Sequence, residues 1–342
     1  MNRLHRIKIF SLVMLSAIVG LSCHNWLGLD RDKLHLPNRG PTKVFQTGKN
    51  IYRLALSPDT RRALCAGGKE IQLWDLEKGE IIQRYTASEG EISSISFLPN
   101  EVQAIFCDSY RGKYTCHLLN LDNSKVVLDF KNGHILKLFS PDSNIAVLIE
   151  SQVKEYAPKL SVLEDTIKLW DFYNERAILS FREHQEPVLN VIFLDNDLLA
   201  SVSVDGTIYW WDKRNGQTIK RVSLEGYDGL REALFARNSL RLLSLREGEI
   251  CLWDIETGKK INCLPINLTD FSGLAFSPDG SRALSRDENN HSIHLWDLQS
   301  GAEMQVFQGH KDKIVDLAFS LDGEQAFSTS MDGTLCLWDM PK

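Results

Sequence analysis

The dipeptide Trp-Asp recurs along this chain at an almost constant spacing. The last four steps between its occurrences are 41, 42, 43 and 42 residues. The longer step of 96 residues corresponds to two periods and an insertion, with Leu119-Asn120 standing where the missing dipeptide would be. A regular period of this length predicts an array of seven small units that stack on one another. The six dipeptides begin at Trp74, Trp170, Trp211, Trp253, Trp296 and Trp338.

Each repeat has the pattern of four short strands separated by turns. In the sixth repeat, LAFSPDGSRALS (274–285) contains two apolar runs around a Pro-Asp-Gly turn, and SIHLWDLQSG and AEMQVFQG follow. A sheet this small cannot bury both faces alone, so neighbouring units must cover them. The pattern resembles the WD40 family of β-propellers, in which each repeat forms one blade. The resemblance covers residues 42–340 and implies an all-β, seven-bladed propeller, the domain being 42–342.

The two ends of the repeat array complement each other. The chain ends at TLCLWDMPK, after the third strand of the seventh repeat. Near the N-terminus, KVFQTGKNIYRLALSPD (43–59) matches QVFQGHKDKIVDLAFSLD (305–322). Residues 43–46 are therefore predicted to be the fourth strand of the last blade and to close the ring.

Serine, histidine and aspartate recur together in two repeats, as they would in a hydrolase. In the WD40 family this set is a buried hydrogen-bond network that runs from the tryptophan through serine and histidine to the aspartate. The resemblance therefore implies structural tetrads and no catalytic residue, and the other tryptophans have no clear serine and histidine partners. The two tetrads are His184, Ser201, Asp205 and Trp211, and His310, Ser328, Asp332 and Trp338.

The first 22 residues have the pattern of a secretory signal peptide. Basic residues precede a short apolar run, residues 9–22, that is too short to span a membrane. The following Gly20-Leu21-Ser22-Cys23 resembles the lipobox of bacterial lipoproteins, which implies lipidation of Cys23 and a tether over residues 23–41. Simple cleavage, or a buried N-terminal helix, remains open. This pattern predicts export to the bacterial cell envelope.

The charge and the motif content of the sequence mainly exclude classes of partner and cofactor. The net charge is 39 − 45 = −6, which disfavours nucleic acid as a partner. The sequence has no metal-binding cysteine pair and no phosphate-binding loop, so we expect no cofactor and no metal. Two cysteine pairs lie symmetrically about hairpin turns, Cys107 with Cys116 and Cys251 with Cys263, and they are either bridged or buried as free thiols.

Partner-binding residues are expected in the loops of the narrower top face, where this family joins the second and third strands of each blade. The least regular such loops are 108–114 and the insert 151–160, in neighbouring repeats. Tyrosine and arginine are frequent interface anchors, which selects Tyr110, Arg111, Tyr114 and Tyr156. A second candidate, by family alignment, is the channel mouth, lined by Tyr52, Ser93, Ile135, Leu189, Arg231, Ser272 and Val315.

One further segment, Trp211-Asp212-Lys213-Arg214, resembles the WDxR signature of propellers that dock to eukaryotic ubiquitin ligases, but its simplest interpretation is a hairpin turn. The sequence thus predicts a monomeric, non-catalytic scaffold, exported and lipid-anchored, that contacts a membrane only through the lipid. It would bind a protein or peptide on its top face. Two alternatives stay open: a cytosolic or organellar regulatory subunit of a protein complex, and an exported enzyme that uses the central channel.

Overall fold

A computed structural model describes residues 38–341, all within the compact unit Leu36–Lys342. The predicted signal peptide, Cys23 and the tether up to Pro37 lie outside the described residues. Also outside are residues 49–50, 88–89, 111–112, 132–134, 141–144, 158–159, 172–173, 175, 227–228, 237–238, 247–248, 265–272 and 288.

The described residues form seven four-stranded antiparallel sheets, the blades of a β-propeller. Blade 1 contains β2 (Arg53–Leu56), β3 (Arg62–Gly67), β4 (Glu70–Asp75) and β5 (Glu80–Thr86). Blade 2 contains β6 (Glu91–Phe97), β7 (Gln103–Tyr110), β8 (Lys113–Asn120) and β9 (Lys125–Lys131). Blade 3 contains β10 (Ile135–Phe139), β11 (Ile145–Ala157), β12 (Leu160–Asp171) and β13 (Arg176–Phe181).

Blade 4 contains β14 (Val188–Phe193), β15 (Leu198–Ser203), β16 (Thr207–Asp212) and β17 (Thr218–Ser223). Blade 5 contains β18 (Glu232–Phe235), β19 (Arg241–Arg246), β20 (Glu249–Asp254) and β21 (Lys260–Leu264). Blade 6 contains β22 (Leu274–Phe276), β23 (Arg282–Arg286), β24 (Ile293–Asp297) and β25 (Glu303–Phe307). Blade 7 contains β26 (Ile314–Phe319), β27 (Gln325–Ser330), β28 (Thr334–Asp339) and the N-terminal strand β1 (Lys43–Gln46).

The core lies between the blades, as the repeat argument requires. The middle strands are buried on both faces: the run Ala63–Ala66 in β3 is at most 1% exposed. One apolar cluster joins blades 1 and 2 through Leu64 and Phe106, and another joins blades 3 and 4 through Phe181 and Trp211. No blade could therefore be removed without exposing the apolar faces of two others.

The ring closes as predicted. Strand β1 pairs antiparallel with β28 over four residues, and Phe45 lies opposite Leu335. Phe45 is 3% exposed and contacts Trp74 of blade 1, their ring centroids lying 6.0 Å apart. The seven-bladed, all-β prediction is confirmed. Within the described ranges there is no helix with the length and hydropathy that crossing a membrane requires.

Candidate functional site

The predicted tetrad of blade 7 is a continuous hydrogen-bond chain. The Trp338 Nε1–H donates to Ser328 Oγ at 2.8 Å, and Ser328 Oγ lies 2.7 Å from His310 Nε2. His310 Nδ1 lies 3.1 Å from Asp332 Oδ2. Because Ser328 accepts from the tryptophan, its own proton is available to His310 Nε2, and His310 can donate from Nδ1 to the carboxylate. Burial lowers the pKa of His310, so this histidine is neutral at pH 7.

The tetrad of blade 4 is interrupted at its last step. Trp211 Nε1 donates to Ser201 Oγ at 2.8 Å, and Ser201 Oγ lies 2.7 Å from His184 Nε2. Asp205, however, accepts from the Ser203 hydroxyl and from the Thr207 backbone N–H, and His184 Nδ1 has no hydrogen-bond partner among the described residues. The predicted bond between His184 and Asp205 is therefore not made. Burial lowers the pKa of His184 to about 4.

Neither set has the geometry of a hydrolase site. Ser201 and Ser328 are completely buried, and each already accepts a hydrogen bond from a tryptophan. A serine nucleophile must instead reach a substrate carbonyl beside oxyanion donors. The structural role of the tetrads stays our interpretation, and this burial supports it.

Two of the other tryptophans, in blades 5 and 6, have serine partners that the sequence analysis missed. Trp253 donates to Ser244 Oγ at 2.8 Å, and Trp296 donates to Ser285 Oγ at 2.9 Å. The serine precedes the tryptophan by 10 residues in blades 4 and 7, but by 9 and 11 residues in blades 5 and 6. The expectation that these two tryptophans lack a serine is wrong, because a change of one residue in hairpin length displaced the serine from the aligned position.

Two long hairpins distinguish the end of the propeller that carries the connections between second and third strands, the top face. In blade 2, β7 and β8 have 8 residues each, and in blade 3, β11 and β12 have 13 and 12 residues, against 6 in each middle strand of blade 4. The insert 151–160 is thus largely a β-ribbon and not a loop, with Ser151 opposite Asp165. We call residues 151–164 the blade 3 ribbon.

The predicted top-face residues lie at the tips of these hairpins. Tyr110 ends β7 opposite Lys113, and Tyr114 lies opposite Ser109. Tyr156 lies at a register shift between Glu155 and Ala157 of the ribbon. Arg111 lies outside the described residues.

The described residues of the channel prediction lie on or beside the innermost strands of their blades. Ser93, Leu189 and Val315 lie at β-bulges of the innermost strands. Tyr52 and Arg231 immediately precede β2 and β18, Ile135 begins β10, and Ser272 lies outside the described residues.

Three side chains, each one position after a predicted channel residue, form hydrogen bonds to the neighbouring blade. Arg53 Nε donates to Ser93 O at 2.7 Å, and Asn190 Nδ2 donates to Ala233 O at 2.8 Å. The Asp316 carboxylate accepts from Leu54 N at 3.0 Å, across the junction where the ring closes. These bridging side chains are polar residues on apolar inner strands, which is the signal that could have identified them. Burial raises the pKa of Asp316 to about 6.

The opposite end of the channel is an apolar cavity of about 350 Å³. Side chains from five innermost strands line it, including Leu54, Ile95, Leu234, Phe276 and Phe319. No acid, histidine or basic residue lines this cavity among the residues that the structure describes.

The Trp211–Arg214 segment forms a rigid hairpin turn between β16 and β17. Arg214 donates twice to Asp212, from Nε to Oδ1 at 3.0 Å and from Nη2 to Oδ2 at 2.7 Å. This bidentate bond lowers the pKa of Asp212 to about 2. The Arg214 side chain remains 66% exposed, so a fixed guanidinium is presented to solvent opposite the top face.

Both symmetric cysteine pairs are bridged. Cys107–Cys116 joins β7 to β8, and Cys251–Cys263 joins β20 to β21, with each pair directly opposite in register. The described part of the chain also contains two buried free thiols, Cys65 and Cys336.

Comparison with known proteins identifies two of the repeats. Residues 175–212 and 301–339, the repeats with the two tetrads, match the family model "WD domain, G-beta repeat" (WD40). The U3 small nucleolar RNA-associated protein 15 homolog of Xenopus laevis is 26% identical over 190 residues, which are 54% of this chain and 36% of that protein. Pre-mRNA-processing factor 17 of Saccharomyces cerevisiae is 23% identical over 227 residues, 63% of this chain and 46% of that protein.

A third relative, human DDB1- and CUL4-associated factor 10, is 32% identical over 117 residues, 32% of this chain and 21% of that protein. The matched part thus spans less than half the length of these three relatives. The predicted location in the bacterial cell envelope is wrong, because these similar proteins are eukaryotic. Their names describe a protein associated with U3 small nucleolar RNA, a pre-mRNA-processing factor and a DDB1- and CUL4-associated factor. Their names agree with a regulatory or scaffold role.

Proposed function

We propose that this protein is a non-catalytic WD40-repeat scaffold that works as a subunit of a protein complex and binds a protein or peptide partner on its top face. The observation that carries the proposal is the pair of extended hairpins on adjacent blades 2 and 3. This conclusion corresponds to the regulatory-subunit alternative and does not depend on export or lipidation.

The dimensions of the blade 3 ribbon fit a recognition element. Strand β11 exceeds the middle strands of blade 4 by seven residues. At about 3.3 Å per residue, the ribbon therefore extends about 20 Å farther along the strand direction. Tyrosine and arginine side chains at the tips of the two hairpins would provide the anchors that dominate interface energies. The proposed anchors are Tyr110, Arg111, Tyr114 and Tyr156.

A truncation of the ribbon tests this proposal. Ser151 and Asp165 face each other in register, so residues 152–164 can be replaced by an Asn-Gly turn that joins the two strands. We expect the truncated protein to melt at the wild-type temperature and to lose the partners that co-purify with the wild-type protein. The control is Ile82→Ala, at a 51% exposed position on the outer strand of blade 1, which should keep them. An unchanged set of partners after truncation would overturn the proposal.

A second candidate function is docking to a ubiquitin ligase through the hairpin 211–214. Two observations favour it: Arg214 is exposed yet fixed by Asp212, and one relative is named for DDB1 and CUL4. The test measures binding of purified DDB1 to Arg214→Ala and to a control, Arg241→Ala. Arg241 pairs with Asp254, the aspartate of the next Trp-Asp dipeptide, at 3.7 Å. We expect loss only in the Arg214 variant, and no binding by the wild-type protein would reject this candidate.

A further inference from the structure

The disulfide of blade 5 lies beside a carboxylate, Glu249, and the described residues provide no equivalent beside the disulfide of blade 2. Glu249 lies two residues before Cys251 on β20, and alternate residues of a strand share one face. One carboxylate oxygen of Glu249 and the sulfurs of Cys251 and Cys263 all lie within 4.8 Å of one another. Two sulfurs and a carboxylate oxygen are a ligand set that Zn²⁺ accepts.

We propose that Cys251, Cys263 and Glu249 form a zinc site that becomes available when the Cys251–Cys263 disulfide is reduced. A dithiol reductant supplies two electrons and two protons, so the S–S bond becomes two thiols while the dithiol becomes a disulfide. Zinc then binds the two thiolates with release of two protons. This site is independent of the partner-binding surface proposed above.

The geometry requires only small movements of the ligands. Ligand atoms about 2.0–2.3 Å from one zinc ion in a tetrahedral site lie about 3.3–3.8 Å from each other. The two sulfurs must separate from their covalent bond, whereas the carboxylate oxygen is already within 4.8 Å of both. A water molecule can complete the tetrahedron, because Glu249 is exposed and Cys263 is only half-buried.

The surroundings of the site favour the metal once it is bound. Cys251 is completely buried in the apolar cluster between blades 4 and 5, and Cys263 packs against the same cluster. This apolar shell limits solvent access to the sulfurs, a property that controls the chemistry of a metal site. In a reducing compartment, where disulfides are rare, these cysteines would be thiols and open to zinc.

Cys107–Cys116 provides a matched comparison within the same chain. It also joins opposite residues of neighbouring strands, with Cα atoms 3.9 Å apart against 4.0 Å for the blade 5 pair. Its sequence neighbours Asp108 and His117 each occupy the position adjacent to a cysteine and therefore lie on the opposite face of the sheet. The blade 2 pair has no third ligand of this kind among the described residues.

The experiment measures zinc bound to the full-length protein after reduction and gel filtration. A phosphine is the reductant, since a dithiol would itself compete for the metal, and Co²⁺ is the spectroscopic probe for thiolate coordination. We expect one zinc per chain in the reduced wild type and in the double variant Cys107→Ser/Cys116→Ser. We expect none in the oxidised wild type or in Cys251→Ser/Cys263→Ser.

Glu249→Gln tests the third ligand without disturbing the core, because the side chain is exposed. It should weaken zinc binding by at least about tenfold, the effect that loss of even an outer-shell partner has. Circular dichroism of each reduced variant establishes that it is folded. The proposal is overturned if folded, reduced wild type binds no zinc, if binding survives Cys251→Ser/Cys263→Ser, or if Glu249→Gln binds as tightly as the wild type.

Discussion

The strand β1 should account for a large part of the stability of the propeller, and Phe45 allows a direct test. Its side chain is 3% exposed and packs with Trp74 of blade 1 and with Phe327 and Leu335 of blade 7. Truncation of a buried phenylalanine to alanine costs about 3–5 kcal/mol, from lost transfer free energy and the residual cavity. Domains unfold with a free energy of only about 5–15 kcal/mol, so Phe45→Ala should remove a large fraction of it.

Urea denaturation measures this effect. With a slope of about 3 kcal/mol/M, the midpoint should fall by about 1–1.7 M. Val44→Ala is the control, because Val44 is on the same strand but 47% exposed, and it should change the free energy by less than about 0.5 kcal/mol. Equal effects of the two substitutions would refute the argument that this strand holds the ring closed.

Two other predictions follow from the buried polar groups. Ser328→Ala should lower the free energy of unfolding by about 2–4 kcal/mol in urea denaturation, because it leaves both Trp338 Nε1 and His310 Nε2 without their bond. Ser201→Ala removes the same two kinds of bond, from Trp211 Nε1 and His184 Nε2, and should cost a similar amount in the same assay. Asp316 has a pKa of about 6 in the folded protein against 3.8 as the reference value, so its contribution to stability is present below pH 3.8 and is lost as the pH rises through 6. Asp316→Asn should therefore be more stable than the wild type at pH 8, by at most about 3 kcal/mol, and equal to it near pH 4 in urea denaturation.

The spacing of Trp-Asp dipeptides was sufficient to predict the number of blades, because a period counts units without requiring any strand boundary. The same reasoning predicted β1, since residues 43–59 resemble the corresponding stretch of the last repeat. Strand details were harder. A β-bulge inserts one residue without changing composition, so sequence alignment did not show that Asn190 and Asp316, next to the bulge residues Leu189 and Val315, make contacts between blades. The insert 151–160 was predicted as a loop because it interrupts the repeat, but most of it extends the two middle strands of blade 3.

We expect the regular repeats to stabilise the propeller and the irregular repeats to bind its partner. The repeats that match the WD40 model, in blades 4 and 7, contain the tetrads. Blades 2 and 3 have the weakest repeat signal: Leu119 replaces one tryptophan, and Trp170 Nε1 has no partner among the described residues. These same blades have the longest hairpins. Substitutions in the tetrads should therefore reduce stability and leave binding intact at low temperature, whereas substitutions at the tips of the two hairpins should reduce binding at unchanged stability. A tip variant that melts early and still binds would contradict this division.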